Sequence, residues 1–280
     1  MTKNSSPIKY AVIPVAGLGT RLLPFTRVVP KELLPVAGRP VIQRLVEECG
    51  RAGIREIVLI VNQRNQAMLK QYFNPRHATY MRTSSNPKLK PAIESLENIM
   101  ETIKFHYVLQ PKPTGDGNAL LYARHYIPKG QHFFVSMGDL LVEPTVNYIQ
   151  DMLDAAKRHK GYTLAVDQVP AHHVDRYGIV RQAYRLGPRL WEIGGIVEKP
   201  AVGQAPSRMA LIGKYILNEK IFKILAQTPE DSKGEVKLAY ALEKVLKEKL
   251  APIFAYRIPG RHFDCGDWDG FRETNIKLQP

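Results

Sequence analysis

Short, continuous apolar runs alternate with amphipathic helical patterns along most of this chain. The runs at 10–16 (YAVIPVA), 54–61 (IREIVLIV), 105–110 (FHYVLQ) and 131–141 (QHFFVSMGDLL) are typical of strands covered on both faces. Between the first two, the segment 41–53 carries an apolar helical stripe and stops at a glycine. Repeated strand–helix–strand units predict an α/β fold with a mostly parallel sheet between helical layers, and ligands bind beyond the carboxyl ends of such strands.

The rest of the chain divides less regularly. Further helices are predicted at 65–73, with Asn62 as a possible cap, and at 117–126 and 145–161, and a strand at 162–169. The polar, proline-broken segment 74–104, helical from about Ala92, is predicted to be an insertion. Beyond residue 176 the strands become shorter, at 177–182, 191–200 and 210–217, which predicts a smaller, β-rich lobe.

Charge limits the choice of partners. The 280-residue chain has 40 Lys and Arg against 26 Asp and Glu, a net charge of +14, which favours an anionic partner. The cations are scattered and form no basic tail, so nucleic acid is an unlikely partner. No apolar segment approaches the length of a membrane span, and the N-terminus lacks the apolar core of a signal peptide, so we expect a cytoplasmic protein. The two cysteines, Cys49 and Cys265, lack metal-ligand spacing and are expected to be buried.

A glycine-rich loop follows the first predicted strand. Gly17 and Gly19 would let backbone amides approach an anionic ligand, and Arg21 adds a charged fork suited to phosphate oxygens. Position 22 is Leu and no Gly-Lys-Ser/Thr follows, so this is neither the dinucleotide fingerprint nor a P-loop. Alone, the Gly17–Arg21 sequence is equally consistent with a plain turn. Ten residues after Arg21, however, a proline-rich segment contributes a second cation, Lys31.

The continuation of this loop carries a specific resemblance. The Gly-rich loop, Thr20-Arg21, Leu23-Pro24, Pro30-Lys31-Glu32 and Leu34-Pro35 resemble the pattern of the bacterial UTP–glucose-1-phosphate uridylyltransferases, within the sugar-1-phosphate nucleotidyltransferase family. The likeness extends, less densely, to about residue 270. It implies a Rossmann-like mixed sheet flanked by helices in a single domain over 1–280, with a nucleotide-binding part at about 8–145 and a sugar-phosphate-binding part at 146–270.

The resemblance also implies a reaction and its residues. The expected substrates are UTP and glucose 1-phosphate, with Mg²⁺ as cofactor, and the expected assembly is a homodimer or homotetramer. Catalytic roles fall on Arg21 and Lys31. Nucleotide binding falls on Ala16, Gly17, Gly19, Thr20, Glu32, Gln110 and Gly115, of which Gln110 and Gly115 would contact the pyrimidine. Sugar-phosphate binding falls on Tyr177, Gly178, Glu198, Lys199 and Gly213, and the metal ligands are Asp139 and Asp264.

Elementary electrostatics explains why a site for these two substrates needs cationic side chains and a metal ion. Two like unit charges about 4 Å apart repel by about 4 kcal/mol at an effective dielectric of about 20, so two phosphorylated reactants need cations to meet. Magnesium takes one or two protein carboxylates and keeps other positions for water or phosphate. Each assignment has an alternative: the cations could be solvated surface groups, Asp139 a turn cap, Gln110 a polar strand end and Glu198–Lys199 a surface ion pair. Asp267 or Asp269 could replace Asp264 as a ligand.

The chain departs from the family pattern at two internal places. Gly115-Asp116-Gly117-Asn118 stands where Gly-Leu-Gly-His is usual, and Gly-Glu-Val-Lys-Leu-Ala-Tyr (234–240) lacks the usual Gln-Leu-Thr-Asp. The C-terminal helix is also expected to be short. Three alternatives therefore stay open: a thymidylyltransferase that uses dTTP, a catalytically weak regulatory relative, and, on net charge alone, a nucleic-acid binder.

Overall fold

The computed structural model describes residues 8–74, 87, 90–143 and 147–278 and shows an α/β fold built on one large sheet. Its strands are β1 (Tyr10–Pro14), β2 (Pro35–Val36), β3 (Arg39–Pro40), β4 (Glu56–Val61), β5 (Lys104–Leu109), β6 (His132–Ser136), β7 (Leu140–Val142), β8 (Tyr162–Gln168), β9 (Gly178–Arg185), β10 (Leu190–Glu198), β11 (Met209–Asn218), β12 (Ile253–Arg257) and β13 (His262–Asp264). Its helices are α1 (Val41–Arg51), α2 (Gln66–Tyr72), α3 (Lys90–Thr102), α4 (Asp116–Leu121), α5 (Ile149–Arg158), α6 (Ile221–Leu225), α7 (Leu238–Lys247) and α8 (Trp268–Lys277).

The large sheet has nine strands in the order β5-β4-β1-β6-β11-β8-β12-β10-β9. The first four pair in parallel, and β8 and β12 also pair in parallel. The strand β11 runs antiparallel to both β6 and β8, and β10 runs antiparallel to both β12 and β9. Seven strands therefore point one way and two the other, which confirms the predicted mixed, mostly parallel sheet.

Alternate residues of the central strands enter two different cores. In β1, Ala11 and Ile13 pack into a core that includes α1, α2, α3 and α5, while Val12 packs into a second core that includes α4, α6 and α7. Both cores exclude water from β1 almost completely, which explains why its sequence is apolar throughout instead of alternating. The helices form two layers, and this leaves the ends of the strands as the place for a ligand.

Several element boundaries differ from the sequence-based prediction. The helix predicted at 117–126 ends at Leu121, after which the backbone forms i→i−3 bonds such as Ala123 N to Leu120 O. Leu120, Ala123 and Ile127 are all buried at a helix-like spacing, so the apolar pattern continues beyond the helix itself. The helix predicted at 65–73 begins at Gln66, and the Asn62 carboxamide instead accepts the N–H groups of Arg64 and Asn65, both at 2.9 Å.

The predicted insertion lies partly outside the described residues, which omit 75–86 and 88–89. Its described part is α3, whose Leu96 and Ile99 are buried in the core shared with α1. The strands predicted after residue 176 are present as β9, β10 and β11, in the same sheet as the first half of the chain, but the expectation that they are shorter is wrong: they have 8, 9 and 10 residues, more than any described strand before them. Both cysteines are buried and free, as expected. Among the described residues, no helix combines the length and apolar composition needed to cross a bilayer.

Candidate active site

A cavity of about 640 Å³ opens at the carboxyl ends of the parallel strands. It lies where β1, β5 and β6 end at Pro14, Leu109 and Ser136, and the chain after each of these strands contributes to its wall. Most of the residues predicted for the site line it: Ala16, Gly17, Arg21, Lys31, Gln110, Gly115, Asp139, Tyr177, Gly178, Glu198, Lys199, Gly213 and Asp264. Residues far apart in the sequence thus meet at one edge of the sheet.

A close ion pair marks the side of the cavity beside β1 and β6. Lys31 Nζ lies 2.6 Å from Asp139 Oδ2, and both side chains are largely buried, at 16% and 18% exposure. Arg21 Nη2 lies 3.8 Å from the same oxygen, but its side chain is 60% exposed and stands at the opening. One cation is therefore fixed in place while the other has freedom to meet a ligand.

The pKa values of the ion pair follow from these contacts. Burial disfavours both charges, but Lys31 and Arg21 outweigh it and hold the pKa of Asp139 below its usual value. Burial likewise lowers the pKa of Lys31, and the neighbouring Asp139 and Glu32 raise it above the ordinary value. Both groups are charged at neutral pH, so this wall presents cations at the place where an anion would enter.

A second carboxylate, Asp264, faces Asp139 across Gly266. A Cβ on Gly266 would lie 2.9 Å from Asp264 Oδ1, 3.1 Å from Asp139 Oδ2 and 2.8 Å from Arg21 Nη2, so only a glycine leaves this space open. Burial, and then the nearby Asp139, raise the pKa of Asp264, as expected for two carboxylates sharing one site.

The other two candidate acids are used elsewhere. Asp267 caps α8 by accepting the N–H of Gly270 at 2.9 Å and pairs with Arg176 at 2.7 Å, and Asp269 is 91% exposed. The described residues contain no cluster of three or more His, Cys, Asp or Glu side chains that would form a complete metal site. Asp139 and Asp264 supply two hard oxygen donors, which suits Mg²⁺ when phosphate oxygens and water complete its shell.

The loop after β5 forms the next wall and is fastened to the start of α7. The Gly115 backbone has φ +100°, and a Cβ there would lie 2.3 Å from the Val236 carbonyl oxygen, so a side chain cannot be accommodated. Val236 N donates to Thr114 O at 2.9 Å, and Gly117 N donates to Val236 O at 2.9 Å. The Asp116 carboxylate accepts the N–H of Leu238, the first residue of α7, at 3.0 Å. The two segments that depart from the family pattern are therefore in direct contact.

The opposite side of the cavity is built from β9, β10 and β11. A Cβ on Gly178 would lie 3.1 Å from Glu198 Oε2, so Glu198 packs directly over this glycine, and burial raises the pKa of its carboxyl group. Lys199 has φ +46°, a conformation that side chains rarely adopt, and its N–H donates to Tyr177 O at 3.1 Å. Among the described contacts Glu198 and Lys199 form no close ion pair, although the charge of Lys199 lowers the pKa of Glu198 and so opposes part of the effect of burial. Lys199 is exposed and open to a ligand.

Three predicted nucleotide-binding residues do not line the cavity: Gly19, Thr20 and Glu32. Gly19 has φ +66° and its carbonyl accepts the Thr26 hydroxyl at 2.7 Å, so it shapes the loop. Glu32 is only 1% exposed, and burial raises its pKa to about 7. Its carboxylate oxygens have no hydrogen-bond partner of good geometry among the described residues, and the nearby Lys31 and Asn65 only partly oppose the effect of burial on the pKa. Nucleotide contacts by these three residues stay predictions.

Sequence reasoning missed several residues of the cavity wall, including Asp116, Arg176, Glu235 and Lys237. Arg176 directly precedes the predicted Tyr177-Gly178 pair, so its position was a usable signal. Lys237 lies in the second departure from the family pattern, and its Nζ pairs with Asp231 at 2.8 Å. Only the fold shows that these side chains reach the same space.

Comparisons with known proteins fit this geometry. A family model described as nucleotidyl transferase matches residues 10–279. The UTP–glucose-1-phosphate uridylyltransferase of Bacillus subtilis (strain 168) is 31% identical over 272 residues, which cover 97% of this chain and 91% of the relative. The crystal structure of a UDP-glucose pyrophosphorylase complexed with UDP-glucose matches with a TM-score of 0.84 at 33% identity, covering 96% of this chain and 97% of that one. A UTP-bound UGPase from Acinetobacter baumannii matches with a TM-score of 0.83 at 34% identity, covering 96% and 92%.

Proposed function

The chain belongs to the nucleotidyl transferase family, and from this we propose that it transfers the uridylyl group of UTP to glucose 1-phosphate, forming UDP-glucose and pyrophosphate. The observation that carries the proposal is the Lys31–Asp139 pair with Arg21 on one wall of a cavity whose opposite wall holds Glu198 and Lys199. Cations on two facing walls suit two separate phosphorylated reactants. Named relatives that use UTP and glucose 1-phosphate support the choice over dTTP.

The first wall would hold the triphosphate. The backbone at Ala16 and Gly17 can approach phosphate oxygens closely, and Arg21 is free to close on them from the opening. Lys31 is already oriented by Asp139, so its charge needs no rearrangement when the triphosphate enters. These groups would stabilise the negative charge that moves onto the departing pyrophosphate as the bond from the α-phosphorus breaks.

The second wall would hold the sugar phosphate. Lys199 would bind its phosphate, and Glu198, packed over Gly178, would accept hydrogen bonds from sugar hydroxyls. The attacking group is a phosphate oxygen that is ionised at neutral pH, so no side chain has to remove a proton. The new bond forms from this oxygen to the α-phosphorus, and the residues contribute position and charge neutralisation.

Asp139 and Asp264 would hold Mg²⁺, since they present two carboxylates across the space kept open at Gly266. When bound, the metal would supply positive charge to phosphate oxygens of both reactants. We also propose that the protein works in the cytoplasm and assembles as a homodimer or homotetramer, which sedimentation analysis of the purified chain would test.

A matrix of nucleoside triphosphates against sugar 1-phosphates, with pyrophosphate detection, tests the reaction. We expect release only when a triphosphate, a sugar phosphate and Mg²⁺ are all present, with UTP and glucose 1-phosphate preferred. A preference for dTTP in direct competition with UTP would favour the thymidylyltransferase alternative. Absence of turnover with every pair would favour a catalytically inactive relative and remove the proposal.

A further inference from the structure

The amide group of Gln110 is held in one orientation. Its Nε2 atom donates to Asn118 Oδ1 at 3.2 Å and lies 3.4 Å from the Gly115 carbonyl oxygen. A backbone carbonyl can only accept, so the amide nitrogen, and not the amide oxygen, must face this side. Asn118 presents its own oxygen to the same nitrogen and provides the shorter of the two contacts. Gln110 is almost fully buried, so its side chain stays beside these two acceptors, and they decide which end of the amide faces them.

Asn118 is itself held firmly by the segment before α7. Its N–H donates to Val236 O at 3.3 Å, beside the 2.9 Å bond from Gly117 N to the same oxygen. Asp116 completes the connection by accepting from Gly117 N at 2.7 Å and from Leu238 N at 3.0 Å. Asn118 does not line the cavity, so it would influence a ligand only through Gln110.

This arrangement leaves one acceptor and one donor for a ligand. The described hydrogen bonds of the Gln110 side chain use only its nitrogen, so Oε1 stays available as an acceptor. The Gly115 N–H donates to no described atom, and both residues line the cavity. An adjacent acceptor and donor match a ring N–H next to a carbonyl, which uracil and thymine offer. Cytosine placed in the same way would set its unprotonated ring nitrogen, itself an acceptor, against the Gln110 oxygen, so this contact would be lost.

We propose that Asn118 is a positioning residue that fixes the Gln110 amide and thereby makes the site select uracil or thymine against cytosine. The inference rests on the proposed function, because it assumes that the base of the nucleotide lies against Gln110 and Gly115. If Gln110 could turn over, it would offer a donor in place of an acceptor, and the preference would weaken or reverse. By preventing this rotation of the Gln110 amide, Asn118 would influence which base is bound without contacting the base itself.

Two substitutions separate this role from a purely structural one. Asn118→Ala and the similarly sized Asn118→Leu cannot accept a hydrogen bond, and we expect both to lower the ratio of kcat/KM for UTP over CTP by about tenfold. Asn118→Asp offers only acceptors, so the ratio should stay at the wild-type value even if the added negative charge lowers turnover of both triphosphates. The ratio for UTP over dTTP should not change in any variant, because both bases carry the same ring N–H.

Asn218→Ala is the matched control. The Asn218 Oδ1 atom also accepts one hydrogen bond, from Lys220 N at 3.0 Å, but it lies at the end of β11 opposite the cavity. We expect its UTP-to-CTP ratio to equal that of the wild type. Equilibrium binding of UTP and CTP to each variant gives the same comparison without turnover, so a chain that fails to catalyse the proposed reaction still tests the role of Asn118.

The measured ratios distinguish a positioning role of Asn118 from a purely structural one. An unchanged UTP-to-CTP ratio in Asn118→Leu, or an equal loss in Asn118→Asp and Asn118→Leu, would overturn the proposal. A parallel fall for UTP, dTTP and CTP in Asn118→Ala and Asn118→Leu would show that Asn118 only supports the loop, and would also overturn it. Absence of turnover in the wild type with normal UTP binding would count against the proposed function and not against this inference.

Discussion

The two walls of the cavity are built in different ways. The wall beside β1 and β6 takes Arg21 and Lys31 from the segment between β1 and β2 and Asp139 from the turn after β6, and its central contact is the 2.6 Å pair of Lys31 and Asp139. The other wall gathers Tyr177 directly before β9, Glu198 at the end of β10 and the loop before α7, and Gly213 of β11, which pairs with β6, lies between the two walls. Its cation Lys199 is exposed; its charge acts on the neighbouring Glu198 carboxylate, but no close ion pair like that of Lys31 and Asp139 holds it among the described residues.

On the first wall the cation is held in one position, whereas on the second wall the cation can move to meet a ligand. A buried ion pair holds its cation in place but leaves an unpaired charge in the core if one partner is removed, so changes on the first wall should be costly. An exposed cation that no close ion pair holds can move to contact a bound phosphate. Its loss should therefore affect only the substrate that carries this phosphate. Four substitutions test this contrast: two on the first wall, one on the second wall and one where the two walls join.

The largest effect is expected at Asp139. Asp139→Ala removes a carboxylate that we propose to hold the metal and releases Lys31, so kcat should fall by about a thousandfold. Steady-state pyrophosphate release measures it. Because Lys31 would be left buried without its partner, Asp139→Asn is the companion variant, with a smaller effect on folding but a similar loss of activity.

Asp269→Asn, which alters a 91% exposed acid on α8, is the control for these acid substitutions and should behave as the wild type. If Asp139→Asn kept most of the wild-type activity in a folded protein, the metal role of Asp139 would be wrong and the contrast between the walls would disappear.

Glu32, beneath the same wall, should make folding stability depend on pH. Burial raises its pKa to about 7 in the folded chain, against 4.5 for a free side chain, so the folded state holds the proton more tightly. Stability should therefore decrease as pH rises from 4.5 to 7, since the unfolded chain releases the proton first. Glu32→Gln removes this ionisation. The variant should be more stable than the wild type at pH 8 by up to about 3 kcal/mol, with little difference below pH 4.5.

Urea unfolding of both proteins across this pH range gives the comparison. Glu101→Gln, on the exposed face of α3, should show no such difference. A stability gain for Glu32→Gln that is equal at low and high pH would mean that packing, not ionisation, is responsible.

On the second wall, Lys199→Met should affect only the sugar phosphate. Loss of one charge-assisted contact should raise the KM for glucose 1-phosphate by about tenfold or more and leave the KM for UTP unchanged. Lys220→Met, at an exposed position outside the cavity wall, is the matched control. An equal rise in both KM values would show that Lys199 does not distinguish the two substrates.

The same contrast explains how much the sequence could predict. The Gly17–Arg21 loop and Lys31 follow a recognisable strand in one continuous stretch, and Asp139 lies in the turn after β6, in the middle of the single strand predicted at 131–141, so adjacency of the parallel strands β1 and β6 brings them together. Arg176 and Lys237 meet the cavity only because β9 to β11 and the loop before α7 converge, and no periodicity encodes that convergence. The burial of Glu32 could not be predicted either, because a charged residue between Lys31 and Leu33 in a proline-rich segment is expected to be exposed to solvent.

The smallest effect is expected where the two walls join, at Asp116. This carboxylate accepts from Gly117 N and Leu238 N; Asp116→Ala leaves the Leu238 amide without an acceptor, while Gly117 N keeps its bond to Val236 O, and should lower the free energy of unfolding by about 1 kcal/mol. Asp116→Asn keeps an acceptor oxygen and should lose less. Because the contact connects the loop of Gln110 and Gly115 with α7, KM should rise modestly for UTP and for glucose 1-phosphate together in Asp116→Ala. Equal destabilisation of both variants, or a change confined to one substrate, would mean that the two departures from the family pattern act separately despite their contact.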